Sequence, residues 1–132
     1  MNLLSPAISS LARMRLWRIE AWRNNPLDAQ REVLQDLVTS AQYTEFGRKY
    51  NFSNLFNVRD FKATVPIHEY EDIKPYIERI MHGEQNILWN TPIYWFAKSS
   101  GTTSDKSKFI PISEESLQDG HYKASKDVLS LY

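Results

Sequence analysis

Ser99-Ser100-Gly101-Thr102-Thr103-Ser104-Asp105-Lys106-Ser107-Lys108 is the stretch that decides how this chain reads. It gathers serine and threonine hydroxyls, one glycine and two lysines between two apolar, β-prone segments. Such a loop suits a polyphosphate. Hydroxyls and backbone N–H groups donate to phosphate oxygens, glycine admits the backbone closely, and lysine offsets the negative charge. The ligand this chemistry points to is ATP. Ser, Thr, Asp and Gly also make ordinary polar hairpin turns, and composition alone leaves both readings open.

Working outward, Ile93-Tyr94-Trp95-Phe96-Ala97 enters the loop and Phe109-Ile110-Pro111-Ile112 leaves it. Aromatic and β-branched residues favour extended pairing, so residues 87–112 read as strand, loop over 99–108, strand. Ile87-Leu88-Trp89 is an earlier run of the same kind, and Pro111 marks an edge or the end of pairing. The expected fold class is α+β, mainly helical with a short β-hairpin carrying the loop.

Residues 1–86 read as mostly helical. Ser5-Pro6 is an N-cap followed by proline at the first helical position, and Asn24-Asn25-Pro26 stops that helix. A second helix, capped by Asn25, runs from about Pro26 to Gln42 with Leu27, Val33, Leu34, Leu37, Val38 and Ala41 as its apolar stripe. Thr44 to Tyr50 reads as a short turn of helix ending at Gly47 or shortly after. Asn57 or Asp60 opens another, closed before Thr64-Val65-Pro66 because the residue before proline resists the α region. Glu69 to His82 reads as a helix broken or restarted near Pro75, with Gly83 as its C-terminal cap. Ser113-Glu114-Glu115 starts a last helix over 113–132, with Leu117, His121, Ala124, Val128 and Leu131 on one face. It is still in helical phase at Tyr132, so the chain reads as a truncated, amino-terminal piece.

Sixteen basic and sixteen acidic residues cancel, giving nucleic acid and anionic membranes no field to follow. The absence of cysteine excludes disulfides, thiolate metal sites and a cysteine nucleophile. His68, His82 and His121 are too widely spaced for a metal-ligand pattern, and no protein metal site is expected. No apolar run reaches membrane-span length, so the expectation is a cytoplasmic protein without nucleic-acid or membrane partners. The start carries Arg13, Arg15, Arg18 and Arg23 interleaved with Leu11, Met14, Leu16, Trp17, Ile19 and Trp22. That pattern fits a presequence or a membrane-surface helix, but an apolar stripe at helical spacing is more often a packing face.

The loop is not a Walker A sequence, because the second glycine and the Gly-Lys-Ser/Thr ending are missing. With one glycine it is not a dinucleotide fingerprint either. Ser100-Gly101-Thr102-Thr103 resembles the Ser/Thr/Gly-rich loop of adenylate-forming enzymes. The serine before it and the late lysine, Ser99 through Lys108-Phe109-Ile110-Pro111, are similar to one branch, the auxin-responsive promoter (Gretchen Hagen) family of acyl acid–amido synthetases. Two further phrases resemble the same family: Phe61-Lys62-Ala63-Thr64-Val65-Pro66-Ile67 through Tyr70-Glu71-Asp72-Ile73-Lys74-Pro75-Tyr76-Ile77, and Thr44-Glu45-Phe46-Gly47.

The resemblance implies the amino-terminal part of a larger α/β adenylate-forming domain. It implies a ligase in which a carboxylic acid attacks the α-phosphate of ATP, with Mg²⁺, and an amine such as an amino acid then takes the acyl group. Ser99, Ser100, Gly101, Thr102 and Thr103 would hold the β- and γ-phosphates, and Lys108 would add a charge contact. Asp105 stands where many relatives have glycine, which puts a carboxylate near the phosphates, either turned away or sharing the metal. The rest of the site would lie in the remainder of the full-length enzyme, so the isolated chain is expected to be inactive.

Other candidates carry plainer readings. His121 could line an acid pocket, though a packed histidine is the commoner outcome. Glu69, Glu71 and Asp72 suit the start of a helix. Lys74 and Lys98 read as solvated lysines rather than ATP contacts. Trp89, Trp95 and Phe96 read as core rather than a base-stacking platform. A noncatalytic helical scaffold that binds a partner through its Trp-rich first helix remains the alternative to the synthetase.

Overall fold

A computed structural model describes residues 4–99 and 107–130, with the side chains of 4–9, 11, 12, 129 and 130 left out. Within it lie α1 (Leu4–Asn24), α2 (Pro26–Ala41), α3 (Glu45–Lys49), a 3-10 turn (Phe52–Asn54), α4 (Val58–Thr64) and α5 (Tyr70–Met81). They are followed by β1 (Trp95–Lys98), β2 (Phe109–Ile112), a π-helical stretch (Ser116–Tyr122) and α6 (Lys123–Ser130). The α+β, mainly helical expectation holds. Two compact units divide the chain, Val33–Glu114 on one hand and the two ends, 1–32 and 115–132, on the other.

The central unit is held by two apolar clusters. Val38, Ala41, Phe52 and Leu55 form the first, packed by Leu34, Phe46, Tyr50, Phe61, Val65 and Trp89. Ile80, Ile87 and Ile93 form the second, with Tyr76, Leu88, Trp89 and Phe96 against them. Trp89 belongs to both, so its core reading and that of Phe96 hold. Trp95 does not follow: its side chain is exposed. From the stripe of α2 only Val38 and Ala41 are buried, while Leu27, Val33 and Leu37 remain exposed. An open apolar cleft of about 340 Å³, lined by Leu34, Val38, Phe46, Phe61 and Trp89 among others, sits beside the first cluster.

Local chemistry explains the elements. Thr44 caps α3, its hydroxyl accepting from the Gly47 N–H at 2.9 Å and donating to the Ala41 carbonyl at 2.7 Å. The next orphan donors, Glu45 N–H and Phe46 N–H, reach the carbonyls of Asn86 and Ile87, both at 3.0 Å. The Ile87 carbonyl therefore serves a helix start. This is why Ile87-Leu88-Trp89, read as β-prone, is not a strand, and why the hairpin begins only at Trp95. Helix α3 runs to Lys49, shortly after Gly47 as expected. Residue 47 is glycine because a Cβ there would lie 2.0 Å from the Ala41 carbonyl oxygen.

Asn57 caps α4 by accepting from the Asp60 N–H at 3.0 Å, while Asp60 Oδ2 accepts from the Asn57 side chain at 2.8 Å. The helix ends at Thr64, as the following Val65-Pro66 demands. Helix α5 is continuous through Pro75, against the expected break. Pro75 lies early in the helix, where it forfeits one hydrogen bond, and the Glu69–Asp72 capping box pins the end before it. Gly83 closes the helix with φ +96°, its N–H on Ile80 O at 2.9 Å and the Glu84 N–H on Arg79 O at 3.1 Å. That pair of bonds is a Schellman motif.

In the terminal unit, α1 packs on α6. Arg15 of the Arg-rich helix donates to the Lys123 carbonyl at 2.8 Å and pairs with Asp127. Met14, Trp17 and Trp22 of the same helix are exposed. The expected single α-helical face over 117–131 is not kept. Residues 116–122 are π-helical, which changes the angular step between successive side chains. His121 is exposed, so it is not the packed histidine expected. No described helix is long and apolar enough to cross a membrane.

Candidate functional site

The hairpin sets the geometry of the candidate loop. β1 and β2 pair antiparallel with Trp95 opposite Ile112, Phe96 opposite Pro111, Ala97 opposite Ile110 and Lys98 opposite Phe109. Pairing then continues one step beyond the strands. The Ser99 N–H donates to the Lys108 carbonyl at 2.9 Å, and the Lys108 N–H donates to Ser99 Oγ at 3.2 Å. Ser99 and Lys108, the first and last residues of the candidate stretch, thus close the base of a loop. The hydroxyl of Ser99 takes the place of a backbone carbonyl in that closure and keeps its own proton free to donate. Ser100, Gly101, Thr102 and Thr103 lie outside the described residues, as do Ser104, Asp105 and Lys106.

The base is fastened from outside the hairpin. Tyr70, the first residue of α5, accepts from the Phe109 N–H at 2.9 Å through its hydroxyl. The same hydroxyl reaches the Phe109 carbonyl at 3.3 Å, a long and weaker contact. Its ring lies 5.4 Å from the Lys108 ammonium, within cation–π range. Lys98 sits 5.9 Å from the Phe109 ring. Residue-by-residue reading singled out Lys108 and missed Tyr70. The available signal was its position directly after the Glu69 cap, where the first turn of α5 projects towards β2.

The remaining candidates fall away from this base. Lys74 pairs with Glu71 at 3.2 Å on the surface, which raises its pKa through that hydrogen bond, in keeping with the expected solvated lysine. Glu69 and Asp72 are spent on the capping box of α5, as acids at a helix start should be. Arg79 is the strongest electrostatic centre elsewhere. Its guanidinium grips Glu45 bidentately at 2.8 Å and Glu84 at 2.7 Å. Those hydrogen bonds hold both carboxyls below the ordinary carboxylate range and raise the pKa of Arg79. Among the described residues, no three His, Asp or Glu side chains gather into a metal-holding group.

Residues 15–131 match the model of the GH3 family N-terminal domain, and the chain belongs to that family. It is 35% identical over 117 residues to the indole-3-acetic acid-amido synthetase GH3.2 of Arabidopsis thaliana, covering 86% of this chain and 21% of that protein. It is 36% identical over 90 residues to the jasmonoyl–L-amino acid synthetase JAR4 of Nicotiana attenuata, covering 67% of this chain and 16% of that one. Among solved structures, the AtGH3.15 acyl acid amido synthetase in complex with 2,4-DB superposes with TM-score 0.81 at 29% identity, over 93% of this chain and 21% of that chain. The chain thus spans about a fifth of the length of the relatives it matches.

Proposed function

We propose that this chain forms the phosphate-binding part of an ATP-dependent acyl acid–amido synthetase. The observation that supports the reading is the closed base between Ser99 and Lys108, the two residues that bound the Ser/Thr/Gly-rich stretch of sequence in a GH3-family chain. Ser99, Ser100, Gly101, Thr102 and Thr103 donate to the β- and γ-phosphates of ATP, and Lys108 supplies a positive charge at the base. Mg²⁺ would accompany the nucleotide and would supply charge neutralisation for the leaving pyrophosphate.

In the first step a carboxylate oxygen of the acid bonds to the α-phosphorus and the bond to pyrophosphate breaks, leaving an acyl-adenylate. In the second, an amine such as that of an amino acid bonds to the acyl carbon and AMP leaves. The residues proposed here act on the first step, where negative charge moves onto the leaving group and fixed donors stabilise it. The acid, the adenine and the amine are held by the remainder of the full-length enzyme, and the isolated chain is inactive. The site of action is the cytoplasm.

The test is to supply the native gene product with ATP, Mg²⁺, a panel of carboxylic acids and the amino acids, and to look for amides by mass spectrometry. An amide whose formation needs ATP supports the reading; ATP-independent or absent product contradicts it. Exposed Met14, Trp17 and Trp22 on α1 favour the second reading, a noncatalytic scaffold that binds a partner through this face. Self-association or partner binding that Trp17→Ala abolishes, with no response to ATP, is its signature.

A further inference from the structure

We infer that Tyr70 is a positioning residue for the nucleotide: it acts from α5 on Lys108 and on the base that Ser99 and Lys108 close. The inference rests on the synthetase reading above and adds a residue to it. Three observations converge on this one side chain. Its hydroxyl accepts the Phe109 N–H at 2.9 Å and reaches the Phe109 carbonyl at 3.3 Å. Its ring lies 5.4 Å from the ammonium of Lys108. It is the first residue of a helix whose start is fixed by the Glu69–Asp72 capping box.

The hydrogen-bonding phase of the hairpin gives these contacts their meaning. Ser99 and Lys108 turn their backbone groups towards each other, so the groups of the next residue, Phe109, point away from β1. Those outward groups lie on the free edge of β2 and would otherwise need water or a further strand. Tyr70 satisfies both with one hydroxyl. It also holds the ammonium of Lys108 against a ring face, where an isolated lysine would sample many rotamers. A rigid helix end therefore fixes the exit of the loop, and the Ser99–Lys108 closure passes that constraint to its entry. Tyr70 touches no reacting atom. Its contribution is preorganisation, which lowers the ordering cost when phosphate binds.

The test uses the native gene product with Tyr70→Phe, which removes the hydroxyl and keeps the ring, and Tyr70→Leu, which removes both. Hydrogen exchange at the Phe109 amide reads the contact itself and needs no activity; it should accelerate roughly tenfold in Tyr70→Phe, as loss of one hydrogen bond implies. Acid-dependent pyrophosphate exchange reads the consequence. KM for ATP should rise about threefold to tenfold in Tyr70→Phe and further in Tyr70→Leu, with KM for the acid unchanged. General damage to the fold would instead lower kcat through fewer active molecules and leave KM for ATP alone.

Unchanged Phe109 exchange in Tyr70→Phe overturns the inference whatever the chemistry. Faster amide exchange with an active wild type and an unaltered KM for ATP overturns the positioning role alone. A folded wild type without acid-dependent exchange overturns the synthetase reading, and the positioning role falls with it.

Discussion

The fully buried hydroxyl of Thr44 accepts the Gly47 N–H at 2.9 Å and locks the entry of α3. Its proton goes to the Ala41 carbonyl at 2.7 Å, so one side chain closes α2 and opens α3. Thr44→Val keeps the shape and removes both bonds, leaving the buried Gly47 N–H unmatched while the Ala41 carbonyl keeps the Thr44 N–H. The expected loss is about 2–3 kcal/mol of stability, read from denaturant midpoints at constant slope. A loss within error of zero would mean that water replaces the hydroxyl.

Three residues on, Gly47 makes a sharper prediction. A Cβ at that position would lie 2.0 Å from the Ala41 oxygen and 2.8 Å from its carbon, both backbone atoms. No rotamer relieves the clash, so α2 and α3 must separate. Gly47→Ala should cost about 3 kcal/mol or more, although alanine is the better helix former. Thermal unfolding of the variant tests this, and an unchanged or raised Tm would contradict the close approach.

Arg79 ties α5 to α3 through Glu45 and to its own C-terminal turn through Glu84. Hydrogen bonds from Arg79 hold both carboxyl pKa values below the ordinary 4.5 in the folded protein. A carboxylate with a depressed folded pKa contributes its full stability above the unfolded value. That contribution is lost as pH falls through 4.5 towards the folded pKa. The three side chains are well exposed, so the effect is small and salt-sensitive. Urea midpoints between pH 7 and pH 3 should fall more for wild type than for Arg79→Gln, and 1 M salt should narrow the difference.

Ser99 and Lys108, the two proposed phosphate-binding residues that the structure describes, have separable roles. Lys108→Ala removes a charge proposed to meet phosphate, and KM for ATP in the native product should rise roughly tenfold to a hundredfold. Ser99→Ala removes an acceptor for the Lys108 N–H, 3.2 Å away, and a donor proposed for phosphate, while the Ser99 N–H still holds the Lys108 carbonyl and the charge stays. Its effect should be smaller, about threefold to tenfold on the same parameter. Steady-state kinetics over a range of ATP concentrations separate the two. An effect of Lys108→Ala no larger than that of Ser99→Ala would show that the ammonium adds little at the phosphates, because the closure uses the Lys108 backbone and survives the substitution.

Much of this architecture was legible in residues whose chemistry is local. Asn57 before a short helix, Val65-Pro66 after it, and Gly83 after α5 each act on their own backbone, and each does what its type requires. The phrase Thr44-Glu45-Phe46-Gly47 was legible as the start of a short helical turn and as a family likeness, but not in the role of each residue. Its four letters turn out to be a cap, an Arg79 partner, a core aromatic and a close backbone contact, and two of those depend on residues distant in sequence. The misreadings share that cause. Ile87-Leu88-Trp89 has strand composition, but its first carbonyl is taken by α3. Pro75 looks like a break, yet it stands early in a helix whose start is doubly capped. The π-helical stretch over Ser116–Tyr122 has no local signature, and it took His121 out of the expected face. Tyr70 escaped notice because a hydroxyl that serves a strand edge 39 residues later leaves no spacing rule behind.

Acid-dependent exchange of labelled pyrophosphate into ATP by the native gene product tests the central claim most directly. It reports reversible adenylation and needs no knowledge of the amine. The predicted result is exchange with at least one acid of a broad panel, absent without acid or Mg²⁺ and weakened by Lys108→Ala through KM for ATP. A folded protein that exchanges no label with any acid, or whose exchange ignores Lys108→Ala, would contradict it.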